Sequence, residues 1–179
     1  MHFTCVTSMA VKAMHKKANN PYIPPHRPVL TSCAMRVDLI TRSLEVAGDR
    51  CADLTPLVYA RLFRAQPEME QLFWRDTSGA VKGEMLARVI EAILDFIDKR
   101  QYSRALIQCE VVTHEGYDVP REVFATFFGT VANTLRDVCG TDWTEETDAA
   151  WTDLLAALDF YVRHPDQTMT PEWAGLGVR

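Results

Sequence analysis

The chain has 179 residues, the length of one domain, with a formal net charge of −5 and a hydrophobic fraction of 47%. This acidic balance argues against nucleic-acid binding, which requires a basic surface. No apolar run approaches the roughly 20 residues of a membrane-spanning helix, and the first lysines follow rather than precede the mildly apolar N-terminal stretch. We therefore predict a cytoplasmic protein that binds neither nucleic acid nor membranes. Five scattered cysteines without a C-x-x-C pair indicate neither a zinc site nor a disulfide framework.

Prolines set the first 34 residues apart from the rest of the chain. Pro21, Pro24, Pro25 and Pro28 disfavour regular structure there, because proline lacks the backbone donor and restricts the residue before it. The predicted organisation is an N-terminal extension over residues 1–34, expected to be mobile, a helical domain over 35–166 and an irregular tail over 167–179.

Helical spacing of apolar residues begins at Val37 and continues through the first half of the domain. The pattern predicts a first helix that ends at Gly48 and a second over residues 54–63, which ends before Pro67. Because proline is tolerated at a helix start, residues 67–73 are expected to form a short helical turn. Residues 76–79 form the turn that follows.

The second half of the domain continues the same pattern. It predicts helices over residues 81–100 and 103–115, a loop over 116–119, a helix from Pro120 to Gly140, and a last helix over 145–164. Thr144 precedes acidic residues and is the expected cap of that last helix. No segment alternates apolar and polar residues as a strand would, so the fold class is all-α, with about six to eight helices.

One histidine, His114, stands alone in the segment V-V-T-H-E-G-Y-D-V-P over residues 111–120. An isolated histidine of this kind is more often a core residue whose nitrogens bond to backbone groups than a ligand. Tyr59, Phe73 and Lys82 have equally simple alternatives: a boundary hydroxyl, a core ring and a solvated amine whose stem covers apolar surface. The individual residues leave these alternatives open.

Three longer segments occur in a familiar order. They are Y-A-R-L-F-R-A-Q-P-E-M-E-Q-L-F at 59–73, V-K-G-E-M-L-A-R-V-I at 81–90 and H-E-G-Y-D-V-P-R-E-V-F-A-T-F-F at 114–128, followed by the pair Ala150-Trp151. Over residues 35–165 this pattern resembles the globin family, and most closely the bacterial single-domain globins and the globin domain of flavohaemoglobins. The resemblance implies a globin fold whose helices enclose haem b, iron protoporphyrin IX.

The resemblance also implies a role for each candidate residue. His114 would be the proximal ligand of the haem iron, with its second nitrogen bonded to a backbone carbonyl about one turn earlier, near Glu110 or Val111. Across the haem, Tyr59 would donate a hydrogen bond to bound O2 and Leu86 would form a steric wall. The remaining residues implied to contact the haem are Phe73, which would pack on the porphyrin, Lys82, Val119 and Phe124.

Two of these residues depart from the pattern of the relatives. Lys82 stands where bacterial relatives usually carry glutamine and animal globins histidine. We expect its amine to reach a haem propionate or solvent, because an unpaired buried ammonium is costly. Phe124 stands where flavohaemoglobins carry a tyrosine that is hydrogen-bonded into the proximal network. Phenylalanine cannot make that bond, which weakens the case for dedicated NO dioxygenase chemistry.

The implied function is reversible binding of O2, and of NO and CO, for oxygen binding and transport or for NO detoxification. Detoxification would require a separate reductase, because the sequence contains no flavin or nicotinamide domain. Two alternatives remain: a haem-based gas sensor and a haem-independent interaction module with a globin fold. The resemblance is also compatible with a homodimer.

Overall fold

A computed structural model describes residues 36–98 and 102–164 of the chain. These residues form six α-helices and two short 3-10 segments and contain no strand, which confirms the all-α prediction. The helices are α1 (Val37–Arg50), α2 (Thr55–Ala65), α3 (Ala80–Ile97), α4 (Ser103–Glu115), α5 (Arg121–Cys139) and α6 (Glu145–Arg163). The 3-10 segments are Pro67–Phe73 and Gly140–Asp142. The predicted extension and tail lie outside the described residues.

Helices α1, α5 and α6 pack against one another around Trp151, which is fully buried. The indole Nε1 of Trp151 donates to Ser43 Oγ at 2.9 Å, and Ser43 Oγ donates to the carbonyl of Ile40 at 2.7 Å. At the start of α6, Thr144 Oγ1 accepts the N–H of Thr147 at 3.2 Å, so the predicted cap is present. Hydrogen bonds of this kind offset the cost of burying the polar groups and contribute about 1 kcal/mol each to stability.

Helices α2, α3, α4 and α5 form a closed ring of contacts. Helix α2 touches α3, α3 touches α4, α4 touches α5, and α5 touches α2. The start of α3 depends on Gly79, whose φ of +77° lies in the left-handed region that favours glycine. Every residue of the predicted site lies on this ring or on a segment that adjoins it.

The end of the first helix is one of two predicted helix ends that are wrong. Helix α1 does not end at Gly48 but continues to Arg50, and the N–H of Cys51 closes its last turn on the carbonyl of Ala47 at 2.9 Å. The guanidinium of Arg50 bonds to the carbonyl of Cys139 and to the carboxylate of Asp142. These contacts outweigh the cost of about 1 kcal/mol for a glycine inside a helix.

Two smaller observations complete the description. The long helix α3 spans Ala80–Ile97: it begins within a residue of its predicted start but ends three residues before the predicted end at residue 100, and residues 99–101 lie outside the described part of the chain. None of the helices in residues 36–98 and 102–164 is long and apolar enough to cross a membrane.

Candidate functional site

The ring of His114 is fixed by the helix that carries it. In the last turn of α4, its Nδ1 lies 2.8 Å from the carbonyl oxygen of Glu110, and the Glu110 carboxylate lies 3.6 Å from the same nitrogen. A carbonyl only accepts hydrogen bonds, so Nδ1 carries the proton and the lone pair of a neutral ring is on Nε2. The hydrogen bond expected near Glu110 or Val111 is therefore present, and Glu110 provides it.

The loop after α4 folds back onto His114. The backbone carbonyl of His114 accepts the N–H groups of Tyr117 at 2.9 Å and Val119 at 3.0 Å. Asp118 adopts a φ of +60°, a left-handed conformation that aspartate tolerates better than most residues. This turn buries Val119 beside the end of α4. The backbone and the ring of His114 are thus both held by hydrogen bonds.

Phenylalanine rings from α5 cover the other side of His114. The Phe124 ring centroid lies 4.8 Å from that of His114, and Phe124 makes an edge contact with Phe128 at 6.3 Å. Phe124 presents only carbon atoms to the imidazole. The polar contacts that orient His114 therefore come from Glu110.

Tyr59 on α2 is enclosed by aromatic rings and is only 3% exposed. Its ring centroid lies 5.7 Å from Phe63, 5.3 Å from Phe73 and 5.6 Å from Phe127. Its hydroxyl oxygen is buried and has no hydrogen-bond partner. Such an orphan hydroxyl costs about 1–3 kcal/mol, so it is the natural donor for a ligand that enters the site.

The charge state of Tyr59 follows from the same surroundings. Burial raises the pKa of its phenol well above the ordinary value of 10.0, and the nearby negative charge of Asp76 raises it further. The phenol therefore remains protonated at physiological pH. Tyr59 can donate a hydrogen bond but does not present a phenolate.

Lys82 has a partner that the sequence analysis did not consider. Its Nζ lies 3.6 Å from Asp76 Oδ2 and 5.7 Å from the centre of the Phe73 ring, over its face. The side chain of Lys82 is 21% exposed and that of Asp76 only 5%. One turn further along α3, Leu86 is buried.

The structure therefore groups six of the seven predicted residues into two sets joined by α5, whereas Leu86 is a buried core residue of α3. Tyr59 and Phe73, with Lys82 above Phe73, form one set, and His114, Val119 and Phe124 form the other. Three contributors were missed: Phe63, Phe127 and Asp76. Phe127 follows Phe124 by three residues, a spacing that places both on one helix face and could have indicated it.

A comparison with protein families agrees with this arrangement. The model of the family described as Globin matches residues 57–160, more than half of the chain. The chain belongs to the globin family. The match includes every residue of the candidate site, from Tyr59 to Phe124. No curated protein and no solved structure matched the chain in the other two comparisons. Globins generally bind haem and small gas ligands.

The residues of this globin are compatible with haem. His114 offers the Nε2 lone pair of an imidazole whose other nitrogen is already bonded, which is the usual state of a metal-ligating histidine. Tyr59 offers a buried hydroxyl without a partner. Phe73, Leu86, Val119 and Phe124 offer the apolar surface that a porphyrin requires. The closer resemblance to bacterial globins and flavohaemoglobins remains a prediction.

Proposed function

We propose that this globin holds haem b through His114 and binds O2 reversibly, with NO and CO as further ligands. The observation that carries the proposal is the hydrogen bond from His114 Nδ1 to the Glu110 carbonyl, which leaves Nε2 to coordinate iron. Haem, when bound, supplies an iron centre at which diatomic gases bind. The protein would supply orientation through His114, an apolar aromatic surround and a hydrogen-bond donor in Tyr59.

His164 is the other histidine of the described residues, and it is a poorer candidate for the proximal ligand. It lies at the C-terminal end of α6, is exposed, and stacks on Phe160 at 4.5 Å between ring centroids. The Nδ1 of His164 also lies within hydrogen-bond distance of a carbonyl, that of Phe160 at 3.0 Å, so the position in the fold decides between the two histidines. His114 lies on α4, within the contact ring of α2, α3, α4 and α5, and packs against Phe124. We therefore assign the proximal role to His114.

Tyr59 is the proposed donor on the distal side. Its hydroxyl is buried and protonated, and a buried hydrogen bond to a partly negative gas ligand is stronger than one in water. Leu86, on the neighbouring helix, would limit the size of the ligand. This combination suits slow release of O2.

Reversible gas binding is favoured over NO detoxification. Phe124 contacts His114 with carbon atoms alone, so it adds no polar group that would strengthen the histidine as an electron donor. Conversion of NO to nitrate would also require a source of electrons to return the iron to the ferrous state. The haem-based sensor and the haem-independent interaction module are retained as outcomes of the experiment.

The test combines spectra with a cavity variant. Purified protein, loaded with haemin, should show a Soret band that shifts after dithionite and again under O2 and CO. His114→Gly should lose stable haem binding, and millimolar imidazole should restore it by occupying the vacated position. His164→Gly, the matched control, should bind haem like the unaltered protein.

Each contrary result has a distinct meaning. A colourless protein that takes up no haemin would refute the proposal and favour the interaction module. Full haem retention by His114→Gly without imidazole would refute the proximal assignment. A partner protein that binds only the gas-loaded form would show a sensor instead of a carrier.

A further inference from the structure

Asp76 lies in the turn before α3 and is bonded to the first residues of that helix. Its Oδ1 accepts the N–H of Val81 at 3.2 Å, and its Oδ2 accepts the N–H of Lys82 at 3.0 Å. These are two of the backbone donors that a helix start leaves without an intrahelical partner. The carboxylate is therefore held in place by the backbone, independently of any side chain.

The same carboxylate also holds the side chain of Lys82. Oδ2 lies 3.6 Å from Nζ, and the Asp76 backbone carbonyl lies 3.5 Å from it. The ammonium stands over the Phe73 ring, whose face attracts cations. A pair so shielded from water is screened far less than one on the open surface. Lys82 Nζ thus has three contacts: the carboxylate of Asp76, the backbone carbonyl of Asp76 and the ring of Phe73.

Asp76 influences Tyr59 as well. Although burial works in the opposite direction, the hydrogen bonds from the N–H groups of Lys82 and Val81, together with the Lys82 charge, lower the pKa of Asp76 and keep it ionised. Its negative charge in turn opposes ionisation of the Tyr59 phenol. One carboxylate therefore acts on both polar groups of the distal side.

We propose that Asp76 is a positioning residue: it anchors Lys82 against Phe73 and so keeps the lysine amine off the sixth coordination position of the haem iron. The inference rests on the proposed function, because it concerns the same site. An ammonium has no lone pair and cannot coordinate a metal, whereas a released lysine that loses its proton can. The anchored pair leaves the sixth position to gases and to the donor Tyr59.

The first experiment compares ferric haem-loaded variants by electron paramagnetic resonance and visible spectra. Asp76→Asn should raise the low-spin, six-coordinate fraction by about fivefold, the effect expected from the loss of one ion pair. The double variant Asp76→Asn with Lys82→Met should return to the unaltered spectrum. Asp53→Asn is the matched control, because Asp53 Oδ1 accepts the N–H of Thr55 at 2.9 Å at the start of α2 without anchoring a lysine.

Two results would overturn the proposal. An unchanged spectrum in Asp76→Asn would mean that the carboxylate does not keep Lys82 off the iron. A low-spin signal that persists in the double variant would mean that a group other than Lys82 becomes the ligand. A purely structural role of Asp76 would not produce a signal that depends on Lys82.

A second measurement uses the unaltered protein and needs no haem. Lys82 is the only lysine among the described residues. Its acetylation by an activated ester can be followed by mass spectrometry, with a free lysine derivative in the same tube as the reference. If Asp76 anchors Lys82, acetylation should be at least about fivefold slower than for the free amine. An equal rate would overturn the proposal even if Asp76→Asn failed to fold. If no haem binds, the proposed function fails together with the coordination role, whereas slow acetylation would still support the anchor.

Discussion

Replacement of Tyr59 by phenylalanine should change two free energies in opposite directions. In the haem-free protein, the Tyr59 hydroxyl is buried without a partner, while the three aromatic contacts of the ring do not involve the hydroxyl. Removal of the oxygen therefore relieves a desolvation cost and keeps the packing. We expect the free energy of unfolding to rise by about 1 kcal/mol, or about 2–4 °C in Tm.

In the gas-loaded protein the same hydroxyl is the proposed donor to the ligand. Its loss removes one hydrogen bond, worth about 1.4 kcal/mol, so O2 should dissociate about tenfold faster. A substitution that stabilises the empty fold and weakens the complex identifies a group held for a ligand. A group held for packing would change both quantities in the same direction.

Two assays measure these effects. Urea unfolding of the haem-free protein gives the first, and rapid mixing of the oxygenated protein with CO gives the second. Tyr161→Phe is the matched control, because Tyr161 is 6% exposed and packs edge-on against Phe96 and Phe160, yet its hydroxyl is not a buried orphan. That variant should leave both quantities nearly unchanged, within about 0.5 kcal/mol.

The reasoning would be refuted by a loss of stability in haem-free Tyr59→Phe, since the hydroxyl would then have a partner that matters. An unchanged O2 dissociation rate would show that Lys82 or water is the donor. Either result can occur without the other, so the two parts of the argument are tested separately.

Three further predictions concern the fold. Trp151→Phe should cost about 2 kcal/mol in urea unfolding, because it removes the indole donor to Ser43 and leaves a gap, and a cost near zero would contradict the described core. Gly79→Ala should lower the free energy of unfolding by about 1–2 kcal/mol, because residue 79 has a positive φ. Gly129→Ala, in the interior of α5, should raise the free energy of unfolding by up to about 1 kcal/mol. Equal effects of the two substitutions would contradict the backbone argument. Asp76 has a lowered pKa, so its contribution to stability is present above its ordinary value of 3.8 and is lost as the pH falls below it; Asp76→Asn should therefore flatten the acid limb of stability against pH.

Local patterns predicted the helices well where local chemistry decides their ends. Helix α4 begins at Ser103 and ends at Glu115 as expected, and Thr144 caps α6. The end of α1 was missed because it depends on Arg50, which bonds to Cys139 and Asp142. Those partners lie about ninety residues away along the chain, so no pattern within α1 could indicate them.

The candidate site likewise contains one contact within a single helix and one that depends on the three-dimensional fold. The bond from His114 to Glu110 spans one helical turn, and the resemblance to the globin family implied it. The anchoring of Lys82 by Asp76 crosses a turn whose course depends on the left-handed Gly79. An aspartate a few residues ahead of a helix is a capping signal in the sequence. The contact of the Asp76 carboxylate with the Lys82 amine is visible only in the three-dimensional structure.

The exposure of the end of α4 to water has a kinetic consequence. Arg50 and the Trp151–Ser43 bond tie α1, α5 and α6 together across the chain, whereas the last turn of α4 leaves Val112 largely exposed and passes directly into the exposed Tyr117. Segments whose backbone hydrogen bonds are exposed to water exchange their amide hydrogens first, through local opening. We therefore expect the last turn of α4 to open while α1, α5 and α6 stay folded. The lifetime of a haem bound by His114 would then be set by the local opening of one helix. The protein would release the haem without global unfolding.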